Sequence, residues 1–188
     1  MKIVSSVTTL LFVLISLTVS AQDFREKLIP PTEGKSVIYF VRSSDEGTLM
    51  NIRYFDDKNY IGKFNGRSYF RYECNPGEHI FWIKAENIAI LKANLEEGKV
   101  YMMETNPEPG AITVSANFYF IDLRKERVIQ RMNKVFSKRK ETTFTEEELK
   151  DGQYKNRFVI ERGFKKVQKK LKKRRYLVLR PSIYVKLD

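Results

Sequence analysis

The stretch "YFRYECNPGEHIFWIK", from Tyr69 to Lys84, decides the fold and holds the chain's only cysteine, histidine and tryptophan. Apolar and polar residues alternate on both sides of Pro76-Gly77. Proline presets the first central dihedral angle of a turn, and glycine accepts the positive φ that a type II turn requires. The pattern therefore predicts a β-hairpin centred on Pro76-Gly77. Directly paired residues share a face. One face, formed by Phe70, Tyr72, Phe81 and Ile83, is therefore expected to be buried, with Cys74 and His79 at its rim. The other face would carry Arg71, Glu73, Ile80, Trp82 and Lys84.

This hairpin would bring Cys74 and His79 to about 5 Å between their Cβ atoms. A structural zinc ion needs four nitrogen or sulfur donors and a catalytic one needs three, and the chain has no other cysteine or histidine. A thiol activated by the neighbouring imidazole is the remaining catalytic alternative. The favoured interpretation is a small buried thiol beside a polar residue, with no metal and no cofactor.

Short segments rich in Ile, Val, Phe and Tyr recur along the chain, with turn residues between them. Many short strands at this spacing are typical of an antiparallel, Ig-like β-sandwich, which we expect from about Lys35 to Ile121. The predicted strands are Val37–Arg42, Asn51–Phe55, Tyr60–Phe64, Tyr69–Cys74, His79–Lys84, Ala89–Leu95, Val100–Thr105 and Ile112–Ile121.

The chain after the sandwich is expected to be helical. A first helix is predicted from about Leu123 to Phe136, with Asp122 as its N-cap and four apolar residues on one side: Val128, Met132, Val135 and Phe136. Thr145, followed three residues later by Glu148, is a capping-box signature for a second helix, which Gly152 is expected to interrupt.

A third helix is predicted from Asn156 to Arg174, with Ile160, Phe164, Val167 and Leu171 at helical spacing. The last segment, "YLVLRPSIYVKLD", is β-prone, but Pro181 confines a strand there to an edge or breaks it in two.

The first 21 residues have the features of a secretory signal peptide. Lys2 precedes an apolar run, and Val19 and Ala21 fit the small-residue rule for cleavage before Gln22. The alternative, an uncleaved anchor helix, requires about 20 apolar residues, and this run is shorter. We therefore expect export to the periplasm or the extracellular space. No cysteine stands at the cleavage point for lipid attachment.

Charge is distributed unevenly along the chain. Residues Gln22 to Leu123 carry 12 basic and 15 acidic side chains, whereas Arg124 to Arg175 carry 20 basic and 7 acidic ones. A near-neutral body is thus followed by a strongly basic region, and such asymmetry indicates a polyanionic surface or partner.

The densest basic stretch is "RGFKKVQKKLKKRR", from Arg162 to Arg175. A basic amphipathic helix of this kind can lie on an anionic surface. Export disfavours nucleic acid as a natural partner, so anionic lipid, lipopolysaccharide, a cell-wall polymer or an acidic envelope protein is expected instead. The competing interpretation is a helix that packs its apolar side on the sandwich and merely solvates its lysines. The candidate surface-binding residues are Lys165, Lys166, Lys169, Lys170, Lys172, Lys173, Arg174 and Arg175.

Enzyme motifs are missing from the sequence. It has no Gly-x-Ser-x-Gly pattern and no phosphate-binding glycine-rich loop after a strand. The adjacent carboxylates Asp56-Asp57 and Glu96-Glu97 fall in predicted turns, where such residues usually solvate loops. No enzymatic activity is therefore predicted. The alternative is a hydrolase that acts on envelope carbohydrate or peptide through paired carboxylates.

Three stretches, "PPTEGKSVIYFVR", "YIGKFNGRSYFRYECNPGEHIFWI" and "LEEGKVYMM", together resemble an uncharacterised family of bacterial envelope domains. The central part is also similar to the PEGA-type β-sandwich repeats of surface proteins. The resemblance covers about Pro31 to Leu123 and implies an exported Ig-like β-sandwich without known activity or catalytic residues. The expected organisation is a signal peptide (1–21), a β-sandwich domain (31–123) and a basic helical extension (124–188). The expected function is that of a non-catalytic binding or structural module of the cell envelope.

Overall fold

The computed structural model describes residues 23–45, 49–109 and 114–187. Within them, nine strands form two sheets. Sheet A has the order β4-β1-β7-β8, and sheet B has the order β3-β2-β5-β6-β9. The strands are β1 (Ser36–Arg42), β2 (Ile52–Asp56), β3 (Asn59–Phe64), β4 (Ser68–Cys74), β5 (Gly77–Lys84), β6 (Ile88–Leu95), β7 (Val100–Pro109), β8 (Val114–Phe120) and β9 (Leu177–Leu179).

Three helices follow the first eight strands: α1 (Glu126–Lys138), α2 (Glu146–Lys155) and α3 (Arg157–Lys172). The predicted class, mainly β with a helical basic C-terminal part, is therefore confirmed. The sheets are mixed rather than purely antiparallel, because β1 pairs with β7 and β6 pairs with β9 in parallel. The Ig-like label remains a prediction.

The predicted hairpin at Pro76-Gly77 is wrong. Strand β4 pairs with β1 in sheet A, whereas β5 pairs with β2 and β6 in sheet B. Pro76-Gly77 therefore carries the chain from one sheet to the other, and Gly77 has the expected positive φ, 119°. The error has a physical reason. An arch between two facing sheets requires the same alternation and the same kind of turn as a hairpin within one sheet.

The predicted buried face is nevertheless correct. Phe70 from sheet A and Phe81 and Ile83 from sheet B lie in one apolar cluster between the sheets, and the half-buried Tyr72 packs against it. Phe40 from β1 is central to this cluster, with ring centroids 5.2 Å from Phe70 and 5.4 Å from Phe81. This inner core holds the two sheets together.

Helix α1 covers the outer face of sheet A. Its residues Met132, Val135 and Phe136 are buried in a second apolar cluster, together with Phe24 from a 3₁₀ turn (Phe24–Lys27). The arrangement explains why every residue of β1 is buried. Alternate side chains of this strand face either the inner core or α1, as in a sheet that is covered on both sides.

The N-terminus of α1 differs from the expectation. The helix begins at Glu126 after Lys125, which makes no side-chain cap bond. Asp122 instead accepts hydrogen bonds from the Arg124 side chain and backbone. Asp122 is therefore not the N-cap, because its side chain is already bound within the loop that precedes the helix.

Helices α2 and α3 lie against sheet B. Thr145 and Glu148 form the predicted capping box at the start of α2. Gly152 lies inside α2 and does not interrupt it. A Cβ atom there would be 2.2 Å from Cε1 of Tyr60, so the glycine is needed for the close approach of the helix to β3.

The C-terminal segment joins both sheets. Strand β9 adds to the edge of sheet B, as the position of Pro181 predicted. Val185 then donates a backbone hydrogen bond to Val100 of sheet A at 2.7 Å. Residues 177–185 thus form a strap across one end of the sandwich. The predicted signal peptide, by contrast, lies outside the described residues.

Candidate anionic-surface site

The orientation of α3 is set by its apolar side. Ile160, Gly163 and Val167 are buried against sheet B, and Phe164 and Leu171 are half-buried there. The four apolar positions predicted for this helix are therefore confirmed as its packing side. Gly163 lies directly over Trp82, since a Cβ atom at this position would be 2.7 Å from the Trp82 Cη2 atom.

The predicted basic residues consequently point away from the sandwich. Seven of the eight are exposed, and Lys170 is half-buried. The exposed ones are Lys165, Lys166, Lys169, Lys172, Lys173, Arg174 and Arg175.

Lys170 has a structural role that the sequence did not reveal. Its Nζ donates a 2.6 Å hydrogen bond to the backbone carbonyl of Ile88. Burial, and then the nearby Arg175, lower the pKa of Lys170 below its ordinary value. This lysine fastens the C-terminal half of α3 to β6 and is the least available of the eight for an external partner.

The exposed cations have little internal compensation. Among the described residues, Lys165 is the only member of the set in an ion pair, with Glu161 at 3.1 Å. Because the residues from Arg162 to Arg175 include no acidic side chain, the outer side of α3 carries a dense positive charge that Glu161 offsets only at Lys165. Such a ridge attracts polyanions and repels cations.

The site at Cys74 and His79 has a different character from that of a catalytic pair. Nδ1 of His79 lies 2.8 Å from Oδ2 of Asp56, and Nε2 lies 2.8 Å from the Asn75 carbonyl oxygen. Since a carboxylate and a carbonyl only accept hydrogen bonds, both ring nitrogens carry protons and His79 is an imidazolium ion. Cys74 donates its weak hydrogen bond to the Ser36 carbonyl oxygen.

The pKa of His79 agrees with this geometry. Burial alone would lower the pKa, but hydrogen bonds with Asp56, Cys74 and the Asn75 carbonyl raise it to about 10. A histidine that is already protonated and bound at both nitrogens cannot accept the proton of a thiol. The arrangement is therefore a buried ionic contact between the ends of β2 and β5, and Asp56 is buried in a strand rather than in a solvated turn as expected.

The carboxylates nearest to a hydrolase arrangement lie in the polar cleft between α2 and the edge of sheet B. This cleft of ≈ 580 Å³ contains two acidic residues, Glu148 and Asp151, and three basic ones, Arg53, Lys63 and Lys155. Glu148 accepts hydrogen bonds from the Thr145 backbone and hydroxyl, which lower its pKa. A general acid needs the opposite shift, so the cleft does not favour the hydrolase alternative.

Sequence reasoning missed that the basic region divides between two faces of the molecule. Helix α1 covers sheet A and α3 covers sheet B. Residues Arg127, Arg131 and Lys134 recur at helical spacing along one edge of the buried side of α1. That spacing is readable in the sequence, but the sequence does not show that Ser43 and Arg67 lie beside these three side chains.

Comparisons with protein-family models, curated proteins and solved structures found no match to this chain. Within the described residues, no group of three or more His, Cys, Asp or Glu side chains is placed to hold a metal ion. None of the helices in the described ranges combines the length and hydropathy that crossing a bilayer would require.

Proposed function

We propose that the protein is an exported, non-catalytic module of the bacterial cell envelope that binds an anionic membrane surface through the outer side of α3. The observation that carries the proposal is the ridge of seven exposed cations on α3 and in the residues directly after it, of which one, Lys165, is in an ion pair among the described residues. The predicted signal peptide and the resemblance to envelope domains support the location.

The packing of α3 defines the mode of contact. Its apolar side is occupied by Trp82 and its neighbours in sheet B, so this side is not free to enter the acyl region of a bilayer. The lysines therefore act at the level of the head groups. Each near-surface cation contributes about 1 kcal/mol of attraction to an anionic membrane, and salt weakens this attraction.

The test is co-sedimentation with vesicles of phosphatidylcholine, with and without phosphatidylglycerol, across a salt series. The variant K169Q/K173Q removes two exposed cations from the ridge without touching Lys170. We expect about a 30-fold weaker affinity for the anionic vesicles, which corresponds to about 2 kcal/mol.

The matched control is K63Q/K186Q, which removes the same charge from exposed positions outside α3. We expect this control to bind within about threefold of the unaltered protein, because screening limits distant charges. Equal losses in both variants would show that net charge alone causes binding. Equal affinity for neutral and anionic vesicles would refute the proposal.

A further inference from the structure

A recess on the opposite side of the sandwich collects a second group of cations. It has a volume of ≈ 350 Å³ and lies between α1 and the segments at the ends of β1 and β4. Seven residues line it, and none is acidic. Four are basic, namely Arg67, Arg127, Arg131 and Lys134, and the other three are Ser43, Gln130 and Val135.

Two of these cations are each paired with a carboxylate that does not line the recess. Arg67 is 2.7 Å from Asp45 and donates a 2.9 Å hydrogen bond to the Ser43 carbonyl oxygen. Arg131 is 2.9 Å from Glu104, whose side chain is only 4% exposed. The Ser43 hydroxyl donates to the other oxygen of Glu104. The two guanidinium groups are therefore positioned before any ligand arrives, which reduces the entropy that binding must overcome.

The other two cations have no such partners. Arg127 and Lys134 are exposed and, among the described residues, form neither an ion pair nor a side-chain hydrogen bond. They lie four residues before and three residues after Arg131, so all three project from one side of α1. Asp45 and Glu104 offset Arg67 and Arg131, which leaves the charges of Arg127 and Lys134 uncompensated.

The chemistry of this lining defines the ligand class. Guanidinium groups match the oxygens of phosphate bidentately, and a neighbouring lysine adds a point charge. Val135 is the only apolar residue of the lining, so an apolar ligand would find little surface. The volume is at the small end of ligand pockets, which run from about 300 to 1,000 Å³, and this size suits a single small group.

We propose that this recess binds a phosphate group, with Arg67 and Arg131 as preset donors and Arg127 and Lys134 as the cations that the phosphate neutralises. The site is separate from the ridge on α3. Two sheets about 10 Å apart, with a helix packed outside each, put the two helices about 30 Å apart, which exceeds the screening length of about 8 Å at physiological salt.

The experiment titrates the purified protein with inorganic phosphate and with pyrophosphate at constant ionic strength, and follows the amide and guanidinium resonances by NMR. We expect saturable shifts centred on Ser43, Gln130 and Arg131. The variant R127Q/K134Q should weaken the affinity by at least about tenfold, since it removes two charge-assisted contacts. All substituted side chains are exposed, and an unchanged melting temperature confirms that the fold is intact.

The matched control is K58Q/K186Q, which removes the same charge from exposed residues outside α1 that do not line the recess. It should bind phosphate within about twofold of the unaltered protein, because its charges are screened from the recess. Shifts that do not saturate, or equal losses in the two variants, overturn the proposal.

Two further arms separate this site from α3 and identify the source of the phosphate. Unchanged phosphate binding by K169Q/K173Q supports a separate recess, whereas a loss as large as that of R127Q/K134Q refutes it. If saturating free phosphate weakens binding to phosphatidylglycerol vesicles more in the unaltered protein than in R127Q/K134Q, the recess takes lipid head groups. If both respond equally, its phosphate comes from a soluble compound.

Discussion

The two outer faces of the sandwich are both covered by a basic helix, but they are packed in opposite ways. On sheet A, the helix supplies the large side chain: Phe136 of α1 stacks on Tyr69 at a centroid distance of 4.0 Å. On sheet B, the sheet supplies it: Trp82 stacks on Phe55 at 4.0 Å, and α3 meets the indole with Gly163. A close fit therefore arises either from filling a gap or from removing a side chain.

The two interfaces are therefore sensitive to opposite kinds of substitution. The α1 interface depends on a buried ring, so it is sensitive to truncation of the helix residue. The α3 interface depends on an absent side chain, so it is sensitive to enlargement. Both helices leave basic side chains exposed because apolar residues fix one side of each helix against the sandwich.

Phe136→Ala should have the largest effect. The loss of a buried aromatic ring costs about 3–5 kcal/mol of unfolding free energy, and Phe136 also lies 5.6 Å from Phe24 and 6.2 Å from Tyr39 between ring centroids. Chemical denaturation measures the change. The control is Phe158→Ala on α3, where the side chain is 58% exposed and the expected cost is below about 1 kcal/mol. Similar losses at both positions would contradict the packing described for α1.

Gly163→Val should be next. Its new side chain would collide with the indole of Trp82, and overpacking of this kind costs about 1–3 kcal/mol, here near the upper end. An ordinary exposed glycine in a helix would behave differently, because replacing it by alanine stabilises by about 1 kcal/mol. A double-mutant cycle with Trp82→Leu tests the cause. If Gly163→Val costs as much in the Trp82→Leu background, contact with the indole is not the reason.

A pH series should isolate a contribution that belongs to neither helix-covered face. The pKa of His79 is raised from 6.5 to about 10 in the folded protein. Its stabilising effect is therefore fully present below pH 6.5 and is lost as the pH rises towards 10. We expect a loss of about 1–2 kcal/mol between pH 6.5 and 8.

His79→Gln should make the unfolding free energy nearly independent of pH over this window. The buried tyrosines do not interfere, because their unfolded pKa is 10 and burial raises the folded value further, as for Tyr54, Tyr60 and Tyr72. A slope that persists in His79→Gln would assign the pH dependence to another group.

Gly77→Ala should have the smallest effect. The residue has a φ of 119°, but no heavy atom lies within 4 Å of an added Cβ. The cost is therefore backbone strain alone, about 1 kcal/mol. Trp82→Leu should leave this cost unchanged, whereas it should reduce the cost of Gly163→Val. The comparison distinguishes a glycine needed for positive φ from a glycine needed for close packing. A cost at Gly77 that also disappears with Trp82→Leu would contradict the distinction.

Strand positions were predictable because apolar alternation and turn residues are local properties. The eight predicted strands match β1 to β8, with bounds that shift by a few residues. The partners of β4 and β5 were not predictable, since Pro76-Gly77 suits an arch as well as a hairpin. The capping box at Thr145 was correct because its two hydrogen bonds are local, whereas the role of Gly152 depends on Tyr60, some ninety residues earlier in the chain.

The candidate sites follow the same division. The basic side of α3 was predictable from spacing within one helix. The recess was not, because Arg67 comes from the turn before β4 and most of its neighbours come from α1, and only the folded chain brings them together. Likewise, the sequence placed Cys74 and His79 close together but gave no indication that the Asp56 carboxylate would bind the imidazole ring of His79.

The strap formed by residues 177–185 has a consequence for the order of folding. This segment supplies the hydrogen-bond partners of the Val100 carbonyl oxygen in sheet A and of the edge of β6 in sheet B. The Tyr101 hydroxyl also donates a hydrogen bond to the Pro181 carbonyl oxygen. During synthesis these residues emerge after every other described element. The hydrogen bonds that close this end of the sandwich therefore form only after the rest of the described fold has been synthesised.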